Sequence, residues 1–398
     1  MILALGQAGY EDLLALELEG AGAPGVERGP GWVRAALRAE HPPSPRSTSS
    51  GLRRTGPTSN IQPPTPKAEA DSTQRMQERV ERVALNALEK AVNTGVPPEL
   101  AFAHLVLREP AEVRGESVNA LAQQLAGFFM QSLREERVEA AWPCVFSGPA
   151  ELVGLGRRIS GVEKAFHEIL KKKLSRVARL AGPGTPRGAG PARGLFVFFP
   201  DFGRAFVARE AVLGGQRRMA DDEAAPSRSF LKVEEAYGVL GREPQPGETV
   251  CDLGAAPGGW SYSAAQRGAR VVAVDNGPLK GGALGHPQIE HRCEDAFKFT
   301  PRDGEVFDWL FCDLLEEPHQ VLNQIVGPWL ARRWCRRFVI NLKFGHVDAL
   351  ALLAELRAPG SPLAEHADSF RVRHLYHDRE ELTVVGETAT ATRQLNRE

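Results

Sequence analysis

At 398 residues the chain is too long for one ordinary domain and long enough for two or three, each with its own core. Lys plus Arg (49) nearly cancels Asp plus Glu (50), which excludes a chain that is basic overall, so a nucleic-acid partner needs a local patch. Cys144, Cys251, Cys293, Cys312 and Cys335 are odd in number and form no CxxC pair, arguing against a disulfide framework and a zinc ribbon and for reduced thiols.

The opening "MILALGQAGYEDLLALELEG" has no basic leader and meets Glu11 and Asp12 early, unlike a signal peptide. No apolar run approaches membrane-spanning length, and a cytoplasmic protein is expected. Residues 1–40 read as a small strand-helix-strand piece. From His41 to Lys67 the chain turns to Pro, Ser and Thr, with seven prolines, the composition of a linker. Residues 68–140 read as a helical insertion built on "STQRMQERVERVALNALEKAVN" and "SVNALAQQLAGFFMQSLREERV".

Residues 141–222 read as an α+β region. It holds "WPCVFSGPAELVGLG", the basic helix "VEKAFHEILKKKLSRVARL", a Gly/Pro/Arg loop and the apolar run "LFVFFP". Between Lys164 and Arg193 stand eight Lys or Arg and one acid, Glu168. Such a run is either a solvated helix face or a phosphate-binding face for RNA, centred on Lys171, Lys172, Lys173, Arg176 and Arg179.

From 223 to 398 strands and helices alternate. "TVCDL", "RVVAVD", "IEHRCED", "FDWLFCD" and "RFVINLK" read as strands, with helices over Gly258–Arg267, Pro318–Arg333 and His346–Leu356. This pattern predicts an α/β fold, a doubly wound Rossmann-like sheet covered on both faces. "SFRVRHLYH" and "LTVVG" predict an antiparallel hairpin at one edge, an ending typical of class I methyltransferases.

The first turn of that sheet is "CDLGAAPGGW". A dinucleotide fingerprint, G-x-G-x-x-G, uses its second glycine to approach a pyrophosphate. Here the order is Gly254, Ala255, Ala256, Pro257, Gly258, Gly259, so that glycine is missing. Asp252, just before the turn, suits a cation better than a phosphate. S-adenosylmethionine carries an ammonium and a sulfonium and no phosphate. Asp275, after the second strand, is placed to accept from ribose hydroxyls, and Asp295, after the third, from an adenine amino group.

Methylating a hydroxyl requires a group that takes its proton. A lysine serves if burial or a neighbouring cation pulls its pKa down. Lys343 ends "RFVINLK", Asp313 ends "DWLFCD", Lys232 precedes the first strand and Glu381 opens the last. Strand ends converge in a doubly wound sheet, so the four can meet; two unrelated salt bridges are the alternative.

The order Lys, DLGAAPGGW, Asp, Lys, Glu resembles the FtsJ-type ribose 2′-O-methyltransferases and, within them, the RlmM-type enzymes acting on cytidine of large-subunit ribosomal RNA. Carrying segments are "APSRSFLKVEEAYGV", "VCDLGAAPGGWSY", "VVAVDNGPL", "EDAFKFTP", "FCDLLEEP", "WLARRWCRRFVINLK" and "LYHDREELTV", within residues 225 to 385. The resemblance implies Lys343 as the base, Asp313 and Lys232 as its tuning partners, and Glu381, with Glu380 as its rival, holding the lysine or the ribose. It implies an S-adenosyl-L-methionine site formed by Ser227, Asp252, Gly254, Pro257, Gly258, Gly259, Trp260, Asp275, Asp295 and Asp313. It also implies an N-terminal THUMP-like RNA-binding region, with "GLFVFFPDFGRAFVAREA" as its last strands.

Of the smaller features, His374 and His377 lack a third ligand at metal spacing and read as structural, so no metal is expected. "ARRWCRRF" reads as a helix C-terminal charge pattern around Trp334, or as an RNA-facing patch. Two further readings stay open: an FtsJ-like enzyme for another RNA (another ribosomal site, tRNA or mRNA cap), and a non-catalytic RNA-binding module. A nicotinamide dehydrogenase lacks its fingerprint.

Overall fold

The computed structural model describes residues 1–36, 99–133 and 136–389. The Pro/Ser-rich stretch 41–67 and the helix expected over 72–93 lie outside the described residues.

The N-terminal half forms one mixed sheet. Its strands are β1 (Ile2–Leu5), β2 (Gly25–Gly29), β3 (Trp32–Ala35), β4 (Leu105–Arg108), β5 (Ala111–Arg114), β6 (Trp142–Ser147), β7 (Ala181–Gly182), β8 (Ala189–Phe198) and β9 (Arg204–Gly214). They lie in the order β2-β3-β1-β4-β9-β8-β6-β7, with β5 also paired to β9. Helix α1 (Glu11–Gly20) joins β1 to β2.

Helix α2 (Val118–Ser132) starts where the Ser117 side chain accepts from Ala120 N at 3.1 Å. It buries Leu121, Leu125 and Phe129, spaced to fall on one helix face. Against that face packs α3 (Leu155–Lys173) through Ile159, Val162, Phe166 and Leu170. The basic helix of the sequence is broken at Leu174 into α3 and a short α4 (Ser175–Arg179).

Residues 105–114 differ from the expected helical insertion. They form β4 and β5, and β4 sits inside the sheet between β1 and β9. The reason is non-local: "LVLR" and "AEVR" are too short to show a strand period, and their partners lie about a hundred residues away on either side.

The second sheet comprises β10 (Thr249–Leu253), β11 (Arg270–Val274), β12 (Ile289–Arg292), β13 (Phe307–Cys312), β14 (Cys335–Lys343), β15 (Ala367–Arg373) and β16 (Glu381–Thr388). Its order is β12-β11-β10-β13-β14-β16-β15, parallel from β12 to β14 and antiparallel at β16 and β15. This is the doubly wound class I methyltransferase sheet with its terminal hairpin. Helices α5 (Phe230–Leu240) and α6 (Gly259–Gln266) cover one face. On the other lie α7 (Pro318–Val321), continued by a π-helical turn to α8 (Gly327–Ala331), and α9 (Ala349–Arg357), with α10 (Pro362–His366) completing the layer.

Strand order reverses between β10 and β13, and open α/β sheets bind ligands beyond the carboxyl ends of their strands at such a switch point. The loop after β15, which leads to that edge, is clamped from two sides. Arg373 is buried and donates to Gly214 O and Glu99, and His374 N donates to Ala101 O at 2.9 Å, tying the loop to the N-terminal half. From α5, the buried Glu235 accepts from Tyr376 N at 3.0 Å and His377 N at 3.3 Å. An irregular loop anchored by backbone hydrogen bonds can hold a side chain as firmly as a strand does.

Candidate active site

The site is built on the carboxyl ends of β10, β13 and β14. Gly254 follows β10 with φ of 81°, and a Cβ there would come within 2.8 Å of Leu314. Gly258 caps α6 with φ of 109°, and a Cβ would lie 2.5 Å from that of Ala283. Both positions favour glycine, by conformation and by space. At Gly259 the approach is to polar atoms: a Cβ would stand 3.1 Å from Ser227 Oγ and 3.0 Å from Ser229 Oγ. Pro257 lies between, its carbonyl accepting from Lys280 N at 2.9 Å.

Asp252 is 1% exposed; its Oδ2 accepts from Ser261 Oγ at 2.6 Å, while Oδ1 has no partner. Burial pushes this carboxyl up to about 7. A buried carboxylate with an unused oxygen suits a cationic group, which fits the amino acid end of S-adenosylmethionine and opposes a phosphate. Asp275 braces the turn, Oδ2 accepting from Ala256 N at 3.0 Å and Oδ1 from Gly277 N at 2.7 Å. Each oxygen keeps a second lone pair for a hydroxyl donor. Asp295 lies three residues beyond β12 and accepts from Phe297 N at 3.0 Å. Its pairing with Lys298 at 3.1 Å holds its carboxyl below the ordinary range.

Trp260 stands apart from the other residues expected at the donor. Its ring is buried edge-on against Phe311, and its indole N–H is used by Ser229 O at 2.9 Å. The side chain therefore supports the turn from behind, because the first turn of α6 faces the core on that side.

Lys343, Asp313, Glu381 and Lys232 meet although 149 residues separate the first from the last in sequence. Lys343 Nζ donates to Asp313 Oδ1 at 2.6 Å and to Glu381 Oε1 at 3.1 Å. Lys232, in the first turn of α5, forms an ion pair with the other Glu381 oxygen. Glu381 thus bridges two lysines, while the exposed Glu380 contacts neither, its carbonyl accepting from Phe344 N at 2.8 Å. Register explains the meeting, since β14 and β16 place Lys343 directly opposite Glu381.

The charge balance departs from expectation. Burial disfavours the ammonium, but Asp313 and Glu381 outweigh it and raise Lys343 above the ordinary lysine value. Burial likewise opposes the Glu381 carboxylate, and the two lysines outweigh it and hold that group low. In the free protein the site is a closed set of ion pairs with Lys343 protonated, rather than an amine with a depressed pKa.

Sequence reasoning missed one contact: Lys343 Nζ also donates to Asn341 Oδ1 at 2.8 Å. It missed, too, the approach of the N-terminal half. The Tyr10 ring packs 4.1 Å from that of His374, and Phe102 lies 6.3 Å from Phe344, the residue after Lys343.

Lys171, Lys172, Lys173, Arg176 and Arg179 lie on α3 and α4, outside this cluster. Lys171 pairs with Glu168 at 2.9 Å on the exposed helix face. In "ARRWCRRF" only the first two arginines follow a helix; Arg336 and Arg337 are on β14 and pair with Asp308 and Glu248. Among the described residues no group of three or more His, Cys, Asp or Glu could hold a metal ion, and no helix is long and apolar enough to cross a membrane.

The family model for FtsJ-like methyltransferases matches residues 225–329. Ribosomal RNA large subunit methyltransferase M of Laribacter hongkongensis is 35% identical over 303 residues, 72% of this chain and 80% of that protein. The proteins of the same name from Halorhodospira halophila and Alkalilimnicola ehrlichii are 34% and 36% identical, covering 73% of this chain and 81% and 79% of their own lengths. Identity at that level over most of both chains, with the glycine turn and the lysine-acid cluster on a class I sheet, places this chain in the ribosomal RNA large subunit methyltransferase M family.

Proposed function

We propose that this S-adenosylmethionine-dependent methyltransferase methylates a ribose 2′-hydroxyl, on a cytidine of large-subunit ribosomal RNA, with Lys343 receiving the hydroxyl proton. The observation that carries the reading is the Lys343 amine, held between Asp313 and Glu381 at the carboxyl edge of the sheet, one strand beyond its switch point and beside a turn suited to a cationic ligand. Ribosomal RNA as the acceptor follows from the names of the relatives.

In this reading Asp252 takes the donor's ammonium, Asp275 its ribose and Asp295 its adenine, with Ser227 and Gly254 to Gly259 shaping the wall and Trp260 backing it. When bound, the donor supplies a methyl group on a positively charged sulfur. Asp313 and Glu381 orient Lys343 toward the acceptor hydroxyl, and Lys232 takes up part of the Glu381 charge. Lys343 enters the reaction after releasing one proton to solvent, an event favoured by any cation brought beside it. It then takes the 2′-hydroxyl proton as that oxygen gains its methyl group.

Residues 223–398 are read as the methyltransferase domain. The 1–40 piece and 141–222 are read as a THUMP-like RNA-binding region whose Lys171, Lys172, Lys173, Arg176 and Arg179 meet phosphates. A cytoplasmic location follows from the substrate. The test is methyl transfer from labelled donor to unmodified large-subunit RNA, followed by nucleoside digestion. Label in 2′-O-methylcytidine is expected; label on a base atom would overturn the reaction class, and label in another 2′-O-methylnucleoside the choice of cytidine.

A further inference from the structure

An ammonium has three N–H donors and no acceptor. On Lys343 they go to Asp313, Glu381 and Asn341, so Asn341 completes the set. Asn341 lies two residues back on β14 and therefore projects from the same face as Lys343. It is 0% exposed. The register pairs Asn341 with Thr383 and Lys343 with Glu381, so two cross-strand pairs stand next to one another.

The orientation of the Asn341 amide is determined by what lies behind it. Nδ2 donates to Asp378 Oδ1 and to Thr383 Oγ1, both at 3.2 Å. The Thr383 hydroxyl gives its own proton to Asp378 Oδ2 at 2.9 Å, which leaves its oxygen free to accept. Asp378 is fixed in turn by Leu375 N at 2.9 Å, and both Asp378 and Thr383 are buried. Flipping the amide would set its NH2 against the Lys343 ammonium, a repulsive contact, and would take a donor away from Asp378 and Thr383, so one orientation remains.

We infer that Asn341 is a positioning residue for Lys343: its carbonyl, locked by Asp378 and Thr383, aims the amine between Asp313 and Glu381. The inference rests on Lys343 acting as the base. A neutral acceptor suits the task, because a third carboxylate would hold the proton that the amine must release. Once neutral, the amine has two N–H donors and a lone pair. Two of the three acceptors then retain it, and the substrate hydroxyl takes the place of the third, facing the lone pair.

The test compares Asn341→Leu, Asn341→Asp and Thr383→Val with wild type and Lys343→Met, using large-subunit RNA and S-adenosylmethionine. Asn341→Leu is expected to lower kcat by about 100-fold through misplacement of the amine. KM for RNA and Kd for the donor should stay within about threefold, as for an interaction made only in the transition state. Thr383→Val, which keeps the shape and removes the hydroxyl, should lower kcat by about 10-fold in the same manner.

Asn341→Asp adds a charge against Nζ and should move the alkaline rise of the rate to higher pH. Asp313, Glu381 and Cys312 act on Lys343 directly, and Lys232 and Asp378 act on Glu381; the new carboxylate also meets Asp378, whose carboxyl burial already pushes up to about 7, so Asp378 takes up a proton in that variant. Wild-type kcat in Asn341→Leu, a loss shared equally by donor binding, or an unmoved profile in Asn341→Asp would overturn the inference. If Asn341→Leu does not fold, wild-type kcat in Thr383→Val does so. Full activity in Lys343→Met would instead remove the general-base reading itself.

Discussion

Glu381 touches two cations, so neutralising it and deleting one of those cations should move the rate profile in opposite directions. In Glu381→Gln, Lys343 loses a carboxylate oxygen 3.1 Å from its nitrogen. At that separation the attraction is about 5 kcal/mol for an effective dielectric of 20. Both side chains are less than a fifth exposed, so bulk screening removes only part of it. After water entry and rearrangement about 1–3 kcal/mol remains, enough to raise the neutral fraction of the amine about 5- to 150-fold at a given pH. The alkaline rise of single-turnover methyl transfer should therefore move to lower pH, while the plateau falls because the amine is less well aimed.

Lys232→Met has the reverse effect. It leaves the Glu381 charge undivided for Lys343, strengthens the hold on the proton and moves the rise to higher pH. The assay is transfer of labelled methyl to ribosomal RNA under donor saturation, across neutral and alkaline pH, for both variants and wild type. Two profiles displaced the same way, or neither displaced, would refute the electrostatic coupling of Lys232, Glu381 and Lys343.

Further outcomes follow from the same geometry. Asp252 has a folded pKa near 7, above that of an unfolded aspartate, so its ionisation costs stability as pH rises from the ordinary carboxylate range and the full cost is present above about 7. Asp252→Asn should therefore become progressively more stable than wild type over that interval, by a few kcal/mol of unfolding free energy, while binding S-adenosylmethionine more weakly. Calorimetry across pH checks the first half and titration of the donor the second; an unchanged donor affinity would contradict the assignment of Asp252. Replacing Lys171, Lys172 and Arg176 by Ala should weaken RNA binding and reduce the slope of log affinity against log salt by about 0.7–0.9 per lost contact, with donor affinity unaltered. A salt slope equal to wild type would make those residues a solvated helix face.

Most of the second sheet is legible in the sequence because its strands are apolar runs closed by turn residues. "TVCDL" coincides with β10, and Lys343 and Glu381 sit at the ends of β14 and β16 as their positions suggest. The glycine turn is equally legible, since the absence of one glycine and the presence of Asp252 are local facts. Asn341 is not. It is a polar residue inside the apolar run "RFVINLK", and its role appears only with the hairpin register that sets it against Thr383.

The charge state of Lys343 is hidden for a similar reason. Burial and a nearby lysine are inferable from sequence, whereas the balance against two carboxylates depends on distances of 2.6 and 3.1 Å. In the N-terminal half, strands of four residues such as "LVLR" take their identity from partners far along the chain. A helical reading of the surrounding segment extends over them by default. The Tyr10–His374 contact joins residues more than 360 positions apart and has no local signature.

The most direct test of the account is the rate of methyl transfer to the ribose of large-subunit RNA by Lys343→Met, measured with donor and RNA both saturating and compared with wild type. Loss of a proton acceptor in the transition state predicts a fall of at least about 100-fold, with donor binding retained. A variant that methylates the same ribose at the wild-type rate would show that Lys343 is a structural partner of Asp313 and Glu381 and takes no proton.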